Sequence, residues 1–104
     1  RRFGGTSLAR TRRRGLLRNA AVVLGNTGNP AAVPALSHAL GDREPLIRQH
    51  AAWALGALDL PAAHEALARR TARETHPAVL AEIVIARTAP ALRAPLQLGL
   101  PPRP

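Results

Sequence analysis

Several residue types are missing from this 104-residue chain, and each absence closes off a class of chemistry. There is no cysteine, so disulfides, thiolate catalysis and cysteine-ligated metals are excluded within it. Aromatics are reduced to Phe3 and Trp53, too few for recognition by base stacking. β-Branched and aromatic residues together are too scarce for a sheet protein. No apolar run approaches the ~20 residues of a membrane helix, and no signal-peptide pattern is present. No lysine occurs, so all 15 basic residues are arginine. No acidic residue precedes Asp42, which leaves residues 1–41 with seven arginines and no countercharge. No methionine occurs either, and the chain reads as an excerpt from a longer polypeptide.

What is present is alanine, leucine and valine, within a hydrophobic content of 46%. Alanine and leucine head the helix-propensity ranking, and small side chains let helices approach closely. The length allows one domain with a modest core. The expected fold class is all-α.

Four prolines set a rhythm. Pro30, Pro45, Pro61 and Pro77 are spaced by 15, 16 and 16 residues, and each opens an alanine- and leucine-rich stretch. Proline is favoured at the first helical position, where its missing N–H costs nothing, so these mark helix starts. The spacing predicts five helices, over about 7–25, 30–40, 45–57, 61–74 and 77–88. Asn29 and Asp59 are placed to cap two of them, and Gly28 and Gly41 to stop two. Ile47, Ala51, Ala54, Leu55 and Leu58 share one face of the third helix. Leu17, Ala20, Ala21 and Leu24 share one on the first, and Val79, Leu80, Ile83 and Val84 one on the fifth.

The helices repeat. Asn19-Ala20-Ala21-Val22-Val23-Leu24-Gly25 aligns with His50-Ala51-Ala52-Trp53-Ala54-Leu55-Gly56 at an offset of 31. Pro45-Leu46-Ile47-Arg48-Gln49-His50 aligns with Pro77-Ala78-Val79-Leu80-Ala81-Glu82 at an offset of 32. Two short helices per period of about 31 residues make an α-solenoid of short HEAT-like helical hairpins. Trp53, aligned with Val22 and Ile85, reads as core. Residues 89–104 carry five of the ten prolines and read as a proline-rich, disordered tail.

Catalytic patterns are wanting. His38, His50, His64 and His76 lack metal-ligand spacing, and His64-Glu65 has no second histidine to complete a zinc-protease motif. His50 reads as a mid-helix polar position, and Asp42 and Glu44 as solvated loop charges. No catalytic residue and no metal site is expected.

The arginines carry the functional signal. Arg10, Arg13, Arg14 and Arg18 fall at i, i+3, i+4 and i+8, one stripe on the first helix. A guanidinium donates two parallel hydrogen bonds to a phosphate, so this stripe suits a polyanion, RNA above all. The other reading is a basic face that meets an acidic protein.

The run Arg13-Arg14-Gly15-Leu16-Leu17-Arg18-Asn19-Ala20-Ala21-Val22-Val23-Leu24-Gly25-Asn26 resembles the C-terminal domain of epoxyqueuosine reductase. That family runs a basic segment into Gly-Leu-x-Arg-Asn and then an Ala-Leu-Gly-Asn turn, whose alanine is Val23 here. Residues 45–56 resemble the family's HEAT-like repeat, and Phe3-Gly4-Gly5-Thr6 its connector from the catalytic part. The resemblance implies a connector over 1–12, a HEAT-like domain over 13–88 and a tail over 89–104. It implies a cytoplasmic parent oxidoreductase that uses cobalamin and two [4Fe–4S] clusters, none of them held by this chain. The implied partners are the tRNA anticodon stem-loop and an upstream catalytic domain of the same polypeptide, with no membrane. The implied RNA-facing residues are Arg10, Arg12, Arg13, Arg14, Arg18 and Asn19.

Overall fold

The computed structural model describes residues 7–88; the connector motif at residues 3–6 and the tail at 89–104 lie outside the described residues, as do the side chains of residues 7–12, 14 and 16. Five α-helices follow in order: α1 (Ser7–Thr27), α2 (Val33–Ala39), α3 (Pro45–Leu58), α4 (Pro61–Thr71) and α5 (Pro77–Thr88). No strand occurs among the described residues. Helices α1, α3 and α5 pack side by side as one layer, and α2 and α4 cover them as a second. This is the all-α hairpin stack that the proline rhythm anticipates.

The punctuation works as expected at most junctions. Pro45, Pro61 and Pro77 each occupy the first position of a helix. Gly28 ends α1 with φ of +69°, a conformation that costs a Cβ-bearing residue most. Asn29 caps the next turn, its side chain accepting the Ala31 N–H at 3.0 Å. Two expectations are corrected. Residues 30–40 do not form one helix: Pro30–Ala32 is a 3₁₀ turn, closed by the Val33 N–H on the Pro30 carbonyl, and α2 follows. Pro34, lacking an N–H, cannot reach back to that carbonyl to make an α-helical bond, so the turn tightens. Asp59 does not cap α4. It ends α3 in the left-handed region, φ 50°, and Leu60 takes the N-cap position.

Helix α3 is the centre of the core. Ile47, Ala51, Ala52, Ala54 and Leu55 are fully buried, and Trp53 and Leu58 nearly so. Leu36 and Leu40 from α2 and its end, Ala63 and Leu67 from α4, and Val79 and Ile83 from α5 close around it. Gly25 shows how closely α1 approaches: a Cβ there would lie 2.8 Å from the Ala54 Cα. The predicted faces of α1 and α5 hold only in part. Ala21 is buried and Leu17 and Leu24 half-buried, but Ala20 is exposed. On α5, Val84 is exposed because no described helix packs beyond it.

Candidate nucleic-acid interface

The stretches leading into the repeat helices share a motif that periodicity does not show. In Asp42-Arg43-Glu44-Pro45 and Glu74-Thr75-His76-Pro77 an acid stands three residues before the helix-opening proline. Each carboxylate accepts the N–H of the residue just before that proline, Glu44 at 2.9 Å and His76 at 3.0 Å. Thr27 does the same with its hydroxyl for Asn29 at 3.2 Å, ahead of Pro30. Such short polar side chains close the loop on itself and fix the direction in which the helix starts.

Each acid also receives an arginine from the preceding repeat. Arg48 meets Glu74 with two parallel bonds, Nε at 2.9 Å and a terminal nitrogen at 3.0 Å. Its remaining terminal nitrogen donates to the carbonyls of Asp42 at 2.8 Å and Arg43 at 3.2 Å. Arg70 adds a third bond to Glu74 at 3.0 Å. One repeat earlier, Arg13 meets Asp42 with both terminal nitrogens. The result is a ladder of two rungs that ties α1 to the α2–α3 loop, and that loop and α3 to the turn before α5.

The rungs differ in depth. Glu74 has no side-chain exposure and Arg48 10%, whereas Arg13 keeps 38%. Burial alone would raise the Glu74 carboxyl. The bonds from Arg48, the His76 N–H and Arg70 outweigh it and hold the group at about 2, against an ordinary 4.5. Asp42 moves the same way for the same reasons, burial opposed and overcome by Arg13 and the Glu44 N–H.

This geometry corrects the view of Asp42 as a solvated loop charge, and it changes the standing of Arg13. Its guanidinium sits in a pair with Asp42, so it enters the α1 ridge as a partly exposed strut and not as a free cation. The acid three residues before both Pro45 and Pro77 is a sequence signal for the loop closure alone; the pairing with Arg13, 29 residues away, comes from the fold.

The remaining candidates divide along α1. Arg18 is half-buried against α3, on the same helical row as the buried Ala21 and Gly25. Its Nε is buried without a hydrogen-bond partner, as is Nε2 of His50. His50 is 3% exposed, which corrects its reading as an ordinary polar position. Its Nδ1 meets the Leu46 carbonyl at 2.8 Å, an acceptor, so Nδ1 carries the proton. Burial and the nearby Arg18 charge both lower its pKa, and they outweigh that carbonyl, so the ring is neutral at pH 7. Asn19 is exposed. Arg10, Arg12 and Arg14 belong to α1 by their backbone, and their side chains lie outside the described residues.

Helix lengths place these residues in space. α1 has 21 residues and α3 has 14. With the repeat offset of 31, Pro45 aligns with Arg14, and residues 7–13 run past the start of α3. At 1.5 Å per residue this overhang is about 10 Å. It has no acid in its first turn. The ridge is therefore graded: Arg10 and Arg12 on the overhang, Arg13 and Arg14 at its root, Arg18 set into the stack.

A family model described as HEAT repeats matches residues 7–86. No curated protein and no solved structure matches the chain.

Proposed function

This chain belongs to the HEAT-repeat family, and we propose that it is an RNA-docking module whose contact surface is the arginine-rich leading half of α1. One observation carries the reading. All six acids lie between Asp42 and Glu82, and Asp42 reaches α1, where it pairs with Arg13. Helix α1 itself carries no acid along its 21 residues, and its leading half carries Arg10, Arg12, Arg13 and Arg14. Phosphate neutralisation with counterion release is the binding mode such a surface supports, positioning the RNA without reading its bases.

The motif resemblance supplies the finer part of the proposal. The RNA would be a tRNA anticodon stem-loop, held so that a cobalamin and iron–sulfur domain reduces epoxyqueuosine to queuosine in the cytoplasm. This chain has no cysteine to ligate a cluster, so that chemistry would belong to another part of the polypeptide. Part of the resembling run has a packing explanation, since Gly25 is required by the close approach of Ala54. The finer reading therefore rests on Arg13-Arg14-Gly15-Leu16-Leu17-Arg18-Asn19.

The test is a salt titration of stem-loop binding by fluorescence anisotropy. The triple variant Arg10→Ala, Arg12→Ala, Arg14→Ala spares the Arg13–Asp42 rung and Arg18. It should weaken binding and flatten the slope of log affinity against log salt by about 2 to 3, given ~0.7–0.9 per phosphate contact. An unchanged slope removes α1 as the RNA surface. A preference for a queuosine-accepting stem-loop over a scrambled hairpin bears on the finer reading alone.

A further inference from the structure

The second layer holds a surface of different character. Between the C-terminal ends of α2 and α4 lies an open cavity of about 510 Å³. This is within the range of sites that take small ligands or a few side chains of a partner, ~300–1,000 Å³. Leu40, Ala66 and Ala72 give it an apolar lining, and Ser37 adds a hydroxyl. Three arginines of one helix end, Arg69, Arg70 and Arg73, complete the wall.

The three arginines are not equivalent. Arg70 is committed to Glu74 at 3.0 Å and keeps 21% side-chain exposure. Arg69 makes only a long, solvent-exposed contact of 3.6 Å with Glu65, the kind of pair that contributes little. Arg73 is exposed, lies past the end of α4, and makes no ion pair among the described residues. The favourable placement of cations at a helix C-terminus accounts for Arg69 and Arg70. It does not account for Arg73, nor for the apolar hollow beside it.

We propose that this cavity docks an acidic peptide segment of a partner protein, with a bulky apolar side chain seated on Leu40, Ala66 and Ala72 and flanking carboxylates paired with Arg73 and Arg69. The lining and the charges are complementary to such a segment. A phosphate backbone has no use for the apolar lining, and a purely apolar ligand has none for two exposed guanidinium groups. An acidic peptide with an apolar anchor uses both, in the anchor-and-rim arrangement of protein interfaces. The surface belongs to the α2–α4 layer and the RNA ridge to the other, so this inference does not rest on the RNA reading.

The experiment uses the full chain and a fluorescein-labelled short peptide of repeating Asp-Glu-Leu-Phe units. Saturable amide shifts in NMR are expected at Ser37, Gly41, Ala66, Ala72 and Arg73, and they should persist when an RNA hairpin is present in excess. The pair Arg69→Glu, Arg73→Glu should raise Kd by about tenfold or more, a loss of roughly 1.4 kcal/mol. Ser37→Trp, which fills the cavity without touching a charge, should do likewise while leaving the helical circular dichroism intact. A peptide with Asn and Gln in place of the acids should bind more weakly by a similar factor. Shifts confined to α1, no saturation into the millimolar range, or the RNA hairpin producing the cavity shifts itself would each overturn the proposal.

Discussion

Helices α1 and α3 are built from the same seven-residue unit and have opposite fates. In α3, His50–Gly56 is buried without interruption. In α1, the matching Asn19–Gly25 buries only Ala21 and Gly25, and Val23 is 62% exposed where its counterpart Ala54 is fully buried. The unit therefore specifies a helix that can stack, and its place in the stack decides how much of it is covered. α3 has neighbours on both sides, α1 and α5, while α1 has one among the described helices. Helix α1 leaves Asn19, Ala20 and Val23 exposed in this unit, and its leading half is rich in arginine. The central helix supplies stability and the outer one a surface.

The sharpest contrast lies in the two rungs. Glu74→Gln leaves Arg48 buried without its charge partner, and breaking a buried pair costs about 3–5 kcal/mol. Arg13→Ala removes a rung that solvent already reaches and should lower Tm by far less, both being read by thermal unfolding. The same contrast has a pH signature. The folded-state pKa of Glu74, about 2, lies below its ordinary 4.5, so its stabilisation is complete above 4.5 and is lost as pH falls toward 2. Asp42 contributes in the same direction. Urea midpoints of the wild type should fall through this window, and Glu74→Gln should start lower and fall less steeply. Equal effects of the two rung substitutions would erase the distinction between centre and edge.

Packing gives the next largest difference. Leu55→Ala empties a fully buried site and should cost about 2–5 kcal/mol in urea unfolding. Leu24→Ala, at the matching but half-buried place in α1, should cost less than half of that. The two glycines of α1 then separate with opposite signs. Gly25→Ala forces a Cβ against the Ala54 backbone and should destabilise by about 1–3 kcal/mol. Gly15→Ala meets nothing within 4 Å and should stabilise the helix by about 0.5–1 kcal/mol. Should Gly15→Ala destabilise instead, the leading half of α1 is packed against something.

The architecture was legible because its signals are local. Proline rhythm, the Gly28 stop and the Asn29 cap each act within a turn, and they fixed five helices to within a few residues. The proline rhythm alone does not show that Pro34, four residues after Pro30, lacks the donor an α-helical bond needs, and that missing donor divides the segment into a 3₁₀ turn and a short α2. The candidate site was less legible because its decisive contacts are distant. Arg13 and Asp42 are 29 residues apart, and Arg48 and Glu74 are 26. Charge counting put Arg13 among the exposed arginines, and only the fold brings the α2–α3 loop under it. The burial of His50 is hidden for the same reason: in sequence it aligns with the exposed Asn19, but α3 has a helix on either side.

A polyanion should touch this chain at the leading half of α1. The most direct measurement is amide shift mapping of the full chain titrated with an RNA stem-loop at low and at high salt. The predicted result is a set of shifts centred on Arg10–Asn19, with Arg43 beside them and α4 silent, that fades as salt rises. Shifts centred on α4 and α5 with α1 unmoved, or a footprint indifferent to salt, would contradict it.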